Sequence, residues 1–204
     1  MSVLLDPPAV TLALKRMAGE IVQRPNALGL RPPFIVGIRR GGEPLAKRIA
    51  AFAAELLPEP PPFGVVDITL YRDDAATALP NPRIGPSHIA GSIDGRRVVL
   101  VDDVLHTGRT IRAAFDALFD FGRPRVIELC VLIDRGGREL PIQPDYVGLV
   151  TEVPSGQRVE VIAKRTGPSP GDESPWAMLV PRSPASAASS DPSASGRQGA
   201  PPRK

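Results

Sequence analysis

The stretch that most limits what this chain can fold into is R-V-V-L-V-D-D-V-L-H-T-G-R-T, from Arg97 to Thr110. Val98 to Val101 are apolar and mostly β-branched, the composition of a short strand buried on both faces, and Asp102-Asp103 falls where that strand ends. Leu105 to Thr110 reads as a short loop containing Thr107, Gly108 and Thr110. It opens into an apolar-periodic run with Ile111, Ala114, Phe115 and Leu118, which predicts a helix.

This order of parts suits one kind of ligand. A helix N-terminus directs unpaired N–H groups and a partial positive charge at whatever precedes it, so the loop is a ready phosphate site. Gly108 lets the backbone approach an anion, and two threonine hydroxyls add donors. Two adjacent carboxylates beside a phosphate would repel it unless each had another task, such as binding vicinal sugar hydroxyls directly or through hydrated Mg²⁺. A ribose 5-phosphate satisfies both halves.

The stretch resembles the phosphoribosyl diphosphate (PRPP) signature of type I phosphoribosyltransferases. D-I-T-L-Y-R-D-D (Asp67 to Asp74) and D-R-G-G-R-E-L-P-I-Q-P-D-Y-V-G (Asp134 to Gly148) are similar to one branch, the bifunctional pyrimidine operon regulators and uracil phosphoribosyltransferases. The resemblance covers roughly residues 5 to 163. It implies an α/β fold with a central, mainly parallel sheet flanked by helices, a flexible lid loop and a small hood. By that resemblance Asp102 and Asp103 hold the ribose and count with Arg72 as catalytic. Val104, Leu105, His106, Thr107, Gly108, Arg109 and Thr110 hold the 5-phosphate. Mg²⁺ is then expected as cofactor, carried by PRPP and water rather than by direct protein ligands.

At 204 residues and 42% hydrophobic content, the chain has enough apolar mass for one sizeable core. A lone cysteine, Cys130, excludes a disulfide framework. The first residues carry neither a basic region nor a long apolar run, so a cytoplasmic protein without membrane attachment is expected. The net charge of +3 argues only weakly for nucleic acid.

Val10, Leu14, Met17 and Ile21 form one stripe of an amphipathic helix over 8–24, after Pro7-Pro8. Lys15, Arg16 and Arg24 lie off that stripe and read as a solvated face. The resemblance also offers this helix as part of an RNA-binding face, although Gly19 stands where the family often has His.

Phe34 to Ile38 is a second apolar run, followed by Arg39-Arg40-Gly41-Gly42 and by Leu45, Ile49, Phe52 and Leu56 at helical spacing. Guanidinium forks and exposed backbone N–H groups suit a diphosphate, and the resemblance puts the diphosphate loop at Arg39, Arg40 and Gly41. Which of the two arginines makes the contact stays open. Val65 to Tyr71 reads as a strand, and some twenty residues from Arg72 lack apolar periodicity, which suggests a lid. Tyr71 and Arg72 stand at its hinge within reach of diphosphate, and His88 reads as an exposed loop residue.

Val126 to Ile133 is a further buried strand, with Cys130 as a small core residue. Ile133, Asp134 and Arg135 follow at the same sheet edge as Asp102 and Arg39, and by resemblance begin the hood over the base. Short strands are expected at 147–150 and 158–163. No internal repeat is visible, and residues 1–166 form the expected phosphoribosyltransferase domain. From Gly167 to Lys204 the composition turns to Pro, Ser, Ala and Gly, which predicts a disordered tail. Within it Trp176 and Ala177 to Val180 are an apolar island that either docks or is merely tolerated.

The expected activity is uracil plus PRPP to UMP and diphosphate, in pyrimidine salvage and possible regulation of pyrimidine gene expression, by a homo-oligomer such as a dimer. The alternatives are a PRPP- or nucleotide-sensing attenuator that binds a leader RNA, or a phosphoribosyltransferase for another base.

Overall fold

The computed structural model describes residues 2–24, 32–71, 85–162 and 176–181. Helix α1 (Pro7–Gln23) starts where Asp6 accepts a hydrogen bond from the Ala9 N–H at 2.9 Å, with prolines in the first turn where no N–H is needed. Its stripe of Val10, Leu14, Met17 and Ile21 is fully buried, as the spacing predicts. Helix α2 is Gly42–Ala54 and α3 is Arg109–Phe119.

The main sheet contains β2 (Phe34–Ile38), β3 (Phe63–Val66), β4 (His88–Ile89), β5 (Arg97–Leu105), β6 (Val126–Asp134) and β7 (Tyr146–Val150), in the order β4-β3-β2-β5-β6-β7. Every pairing is parallel except that of β4 with β3. Along β5 the side chains alternate between two layers. Val99 and Val101 join α1 and α2, whereas Val98 and Leu100 join α3. A layer of helix therefore lies on each face, and both faces of the central strands are apolar. Cys130 sits in the α1 layer with its Sγ 3.7 Å from Met17 Sδ, and burial pushes its thiol up, so it stays a neutral core residue.

A second, antiparallel sheet has the order β1-β9-β8, from β1 (Ser2–Leu5), β8 (Gln157–Ile162) and β9 (Trp176–Pro181). The apolar island thus docks, with Ala177 and Val180 buried. Strand β9 therefore lies beyond residue 166, inside the Pro/Ser/Ala-rich stretch. The other tail residues, and the expected lid residues 72–84 with Arg72, lie outside the described residues.

Three local features differ from expectation. β3 ends at Val66 because the chain turns at Asp67, whose carboxylate accepts the Thr69 N–H at 2.8 Å. His88, expected in a loop, forms the short edge strand β4. β5 runs on to Leu105, since β6 pairs with it as far as Leu105↔Asp134, so Asp102 and Asp103 lie on the strand itself.

Candidate functional site

The parallel strands β2, β3, β5 and β6 all deliver their C-terminal ends to one edge, where ligands of open α/β sheets collect. The loop after β2 is held there by the Arg39 N–H, which donates to the Val66 carbonyl at 2.9 Å, and its Arg39–Arg40 peptide is cis. Its glycines permit a close approach to β5. A Cβ on Gly41 would lie 2.1 Å from Asp103 Oδ2, and one on Gly42 would lie 2.1 Å from the Val101 carbonyl oxygen. The expected diphosphate loop and the expected ribose carboxylates are thus in contact, and only glycine fits between them.

Asp102 is buried, and its Oδ1 accepts the Asp103 N–H at 2.9 Å. Asp103 Oδ1 in turn accepts the Val104 N–H at 2.8 Å. Burial raises the Asp103 carboxyl above the usual carboxylate range, and these backbone donors offset the rise only in part.

The expected 5-phosphate loop turns through Gly108 at φ 92°, which caps α3, so Arg109 and Thr110 are the first helical residues. Leu105 is buried under α3 and offers only its backbone to the edge. His106 packs against Gly137, where a Cβ would lie 2.8 Å from His106 Nε2. Sequence reasoning missed Arg138, which links this loop to β6. Its Nη1 donates to the His106 carbonyl at 3.0 Å, its Nη2 to Asp134 Oδ2 at 2.7 Å and its Nε to the Ile142 carbonyl at 2.9 Å.

Of the expected base-binding residues, Ile133 is fully buried in the α1 layer, so its side chain serves the core. Asp134 accepts the Gly136 N–H and the Arg138 guanidinium, and the Arg135 N–H donates to the Leu105 carbonyl at 3.1 Å. The Tyr71 hydroxyl donates to the carboxylate of Asp120, just beyond α3. Arg16 and Arg24 also have intramolecular partners. Arg16 reaches Glu20 and the carbonyls of Val147 and Gly148, and Arg24 reaches Asp145 and lies over the Tyr146 ring.

Asp67 is a second residue that sequence reasoning did not assign to the site. It is buried, and its Oδ2 accepts the Gly85 N–H at 2.7 Å. A Cβ on Gly85 would lie 2.5 Å from Arg39 Nη1, so this segment packs on the Arg39 side chain. Burial alone would raise the Asp67 carboxyl, but the donors on Thr69 and Gly85 and the Arg39 charge together lower it. Both Asp67 and Arg138 lie inside recognisable motifs, yet the partners Gly85 and His106 are 18 and 32 residues away, and single-sequence spacing does not reveal such pairs.

Among the described residues no group of three or more His, Cys, Asp or Glu side chains could cage a metal ion. The donor set at the edge is the Asp102-Asp103 pair, which suits a Mg²⁺ ion that keeps water ligands and arrives with phosphate oxygens. No described helix is long and apolar enough to cross a membrane.

Residues 2–164 match the family described as phosphoribosyl transferase domain. Over 162 residues the chain is 56% identical to the bifunctional protein PyrR of Roseiflexus sp. (strain RS-1), covering 79% of this chain and 86% of that one. It is 52% identical over 145 residues to the bifunctional protein PyrR of Thermoanaerobacter sp. (strain X514), covering 71% and 80%. Among solved structures, the hypoxanthine phosphoribosyltransferase of Trypanosoma cruzi in complex with IMP superposes with a TM-score of 0.58 at 20% identity, covering 74% and 76%. A hypoxanthine-guanine phosphoribosyltransferase of Bacillus anthracis gives 0.58 at 17%, covering 79% and 86%. At that identity the two structures speak for the fold.

Proposed function

This chain belongs to the phosphoribosyl transferase family, and from that premise we propose that it transfers the phosphoribosyl group of PRPP to uracil, giving UMP and diphosphate. The observation that carries the reading is the contact of the Gly41-Gly42 loop with Asp103, on the strand that leads into the phosphate loop. Diphosphate, ribose and 5-phosphate positions then follow one another along a single sheet edge, in the order PRPP requires. The choice of uracil rests on the Asp67 to Asp74 and Asp134 to Gly148 motifs and on identity to the PyrR relatives.

In the reaction the bond from ribose C1 to the diphosphate oxygen breaks, uracil N1 bonds to C1, and the N1 proton is released. Asp102 and Asp103 orient the ribose hydroxyls, the loop from Val104 to Thr110 fixes the 5-phosphate, and Arg39, Arg40 and Gly41, with Arg72, receive the diphosphate. Bound Mg²⁺ would supply neutralisation of the departing diphosphate charge. Holding both ends of PRPP while charge separates is catalysis by positioning and electrostatics.

The test is diphosphate release from PRPP and Mg²⁺ with uracil, orotate, adenine, guanine or hypoxanthine in turn. Release with uracil alone is expected. Release with a purine instead would reassign the base, and silence with every base while PRPP still binds would favour a sensing role. The relatives' bifunctional designation supports an added regulatory role through a leader RNA, read as salt-dependent retention of that RNA. An RNA contact through α1 would have to draw Arg16 and Arg24 from their present partners.

A further inference from the structure

We infer that Arg138 is a positioning residue for the 5-phosphate loop, anchoring the segment after β6 and holding the His106 carbonyl backwards so that the loop's N–H groups face the phosphate. This rests on the proposed 5-phosphate role of that loop and adds the device that shapes it. Two consecutive loop carbonyls are tied to the segment after β6. The His106 carbonyl accepts Arg138 Nη1 at 3.0 Å, and the Thr107 carbonyl accepts the N–H groups of Glu139 and Leu140 at 3.0 and 3.1 Å.

In a planar trans peptide the C=O and the following N–H point in opposite directions. The brace that takes the carbonyls of His106 and Thr107 therefore turns the N–H groups of Thr107 and Gly108 to the other side, where successive N–H groups make an anion concavity. It also removes two carbonyl dipoles that would repel a phosphate. Arg138 is fixed for this task by Asp134 Oδ2 at 2.7 Å and by the Ile142 carbonyl at 2.9 Å. Gly108 completes the fit, since a Cβ there would stand 3.2 Å from Ile142 and 3.3 Å from Leu140.

The test titrates full-length protein and the Arg138→Ala and Arg138→Lys variants calorimetrically with ribose 5-phosphate and, separately, with inorganic diphosphate. Expected is an affinity for ribose 5-phosphate weakened by about tenfold in Arg138→Ala. Arg138→Lys keeps the charge and one of the donors, so it should lie between the two and remain measurable if the alanine variant does not fold. Diphosphate, which meets the separate loop at Arg39 to Gly41, should bind within twofold of wild type in both. Unchanged ribose 5-phosphate binding in the variants overturns the inference, as does an equal loss for both ligands, which would mark a general structural role. Wild-type protein that binds diphosphate but not ribose 5-phosphate would overturn the loop's assignment, and the brace with it.

Discussion

Asp103 and Asp67 are two carboxylates at one sheet edge whose surroundings act in opposite directions. Burial raises Asp103, so its folded-state proton affinity exceeds that of the unfolded chain. Its stabilising contribution is present below the ordinary carboxylate range and is lost as pH rises through the folded value. Ionising this carboxyl as pH rises through its folded value therefore costs the fold stability. Asp103→Asn should abolish turnover, with at least ~100-fold loss of kcat/KM. The same change should raise Tm at pH 7, by roughly 2–4 °C for each kcal/mol recovered, with a smaller gain at pH 4. A variant with near-normal kcat/KM would refute the ribose assignment. Asp67 carries the reverse sign, because Thr69, Gly85 and Arg39 outweigh its burial and lower its carboxyl. Its contribution is present above the ordinary range and lost as pH falls through the folded value. Asp67→Asn should cost about 1–3 kcal/mol at pH 7 through poorly satisfied buried donors, and should raise KM for PRPP as Arg39 loses its neighbour. Urea unfolding at pH 7 and pH 3 measures the first effect, and the gap between variant and wild type should narrow at the lower pH.

The elements were legible where one residue's environment repeats at a fixed period. The α1 stripe announces its buried face because four apolar residues share one side of a helix, and β2, β5 and β6 announce themselves because strands covered on both faces are continuously apolar. What spacing did not show is how α1 is fastened to the opposite edge of the sheet. Arg97 donates to Glu128 Oε2 through Nε at 3.0 Å and Nη2 at 2.7 Å, and also to the Ile21 carbonyl at 3.0 Å. Burial, with Glu128 adding to it, pushes the Tyr146 hydroxyl up to about 12, so it remains a donor to Glu128 at 2.8 Å. Arg24 adds an ion pair to Glu128 at 3.4 Å and to Asp145 at 2.7 Å. One carboxylate thus ties β5, β6, β7 and the end of α1, although Arg97 and Glu128 stand 31 residues apart in sequence. Glu128→Ala leaves the Arg97 guanidinium buried without its partner and should cost about 3–5 kcal/mol. Thermal unfolding should show a fall in Tm on the order of 10 °C. A fall under 2 °C would mean that the network carries little of the α1 anchorage.

For the whole molecule, the candidate site edge depends on parts distant in sequence that no local pattern joins. Gly41 lies against Asp103, and the Asp67 carboxylate reaches Gly85. The motifs could place these residues on the same sheet edge, but only the packed fold shows that glycine is required by contact rather than by turn geometry. The same holds for the end of the domain. Composition makes the C-terminal stretch look unable to order, since Pro, Ser and Ala bury little surface. β9 escapes that logic because it needs no core of its own: it pairs with β1 on one side and β8 on the other, and inserts Ala177 against the layer that contains α1. A strand between two others satisfies both of its backbone edges, and without it β1 and β8 each lose their partner in this sheet. The consequence can be tested with two truncations, one ending at Ile162 and one ending at Pro181. The shorter chain loses both ladders and the burial of Ala177 and Val180, so its Tm should lie below that of the longer chain by on the order of 10 °C. Amide exchange should also accelerate across Ser2–Leu5 and Gln157–Ile162 in the shorter chain while β5 and β6 keep their protection. Equal Tm values for the two truncations would show that β9 adds nothing to the domain and that its boundary belongs before residue 176.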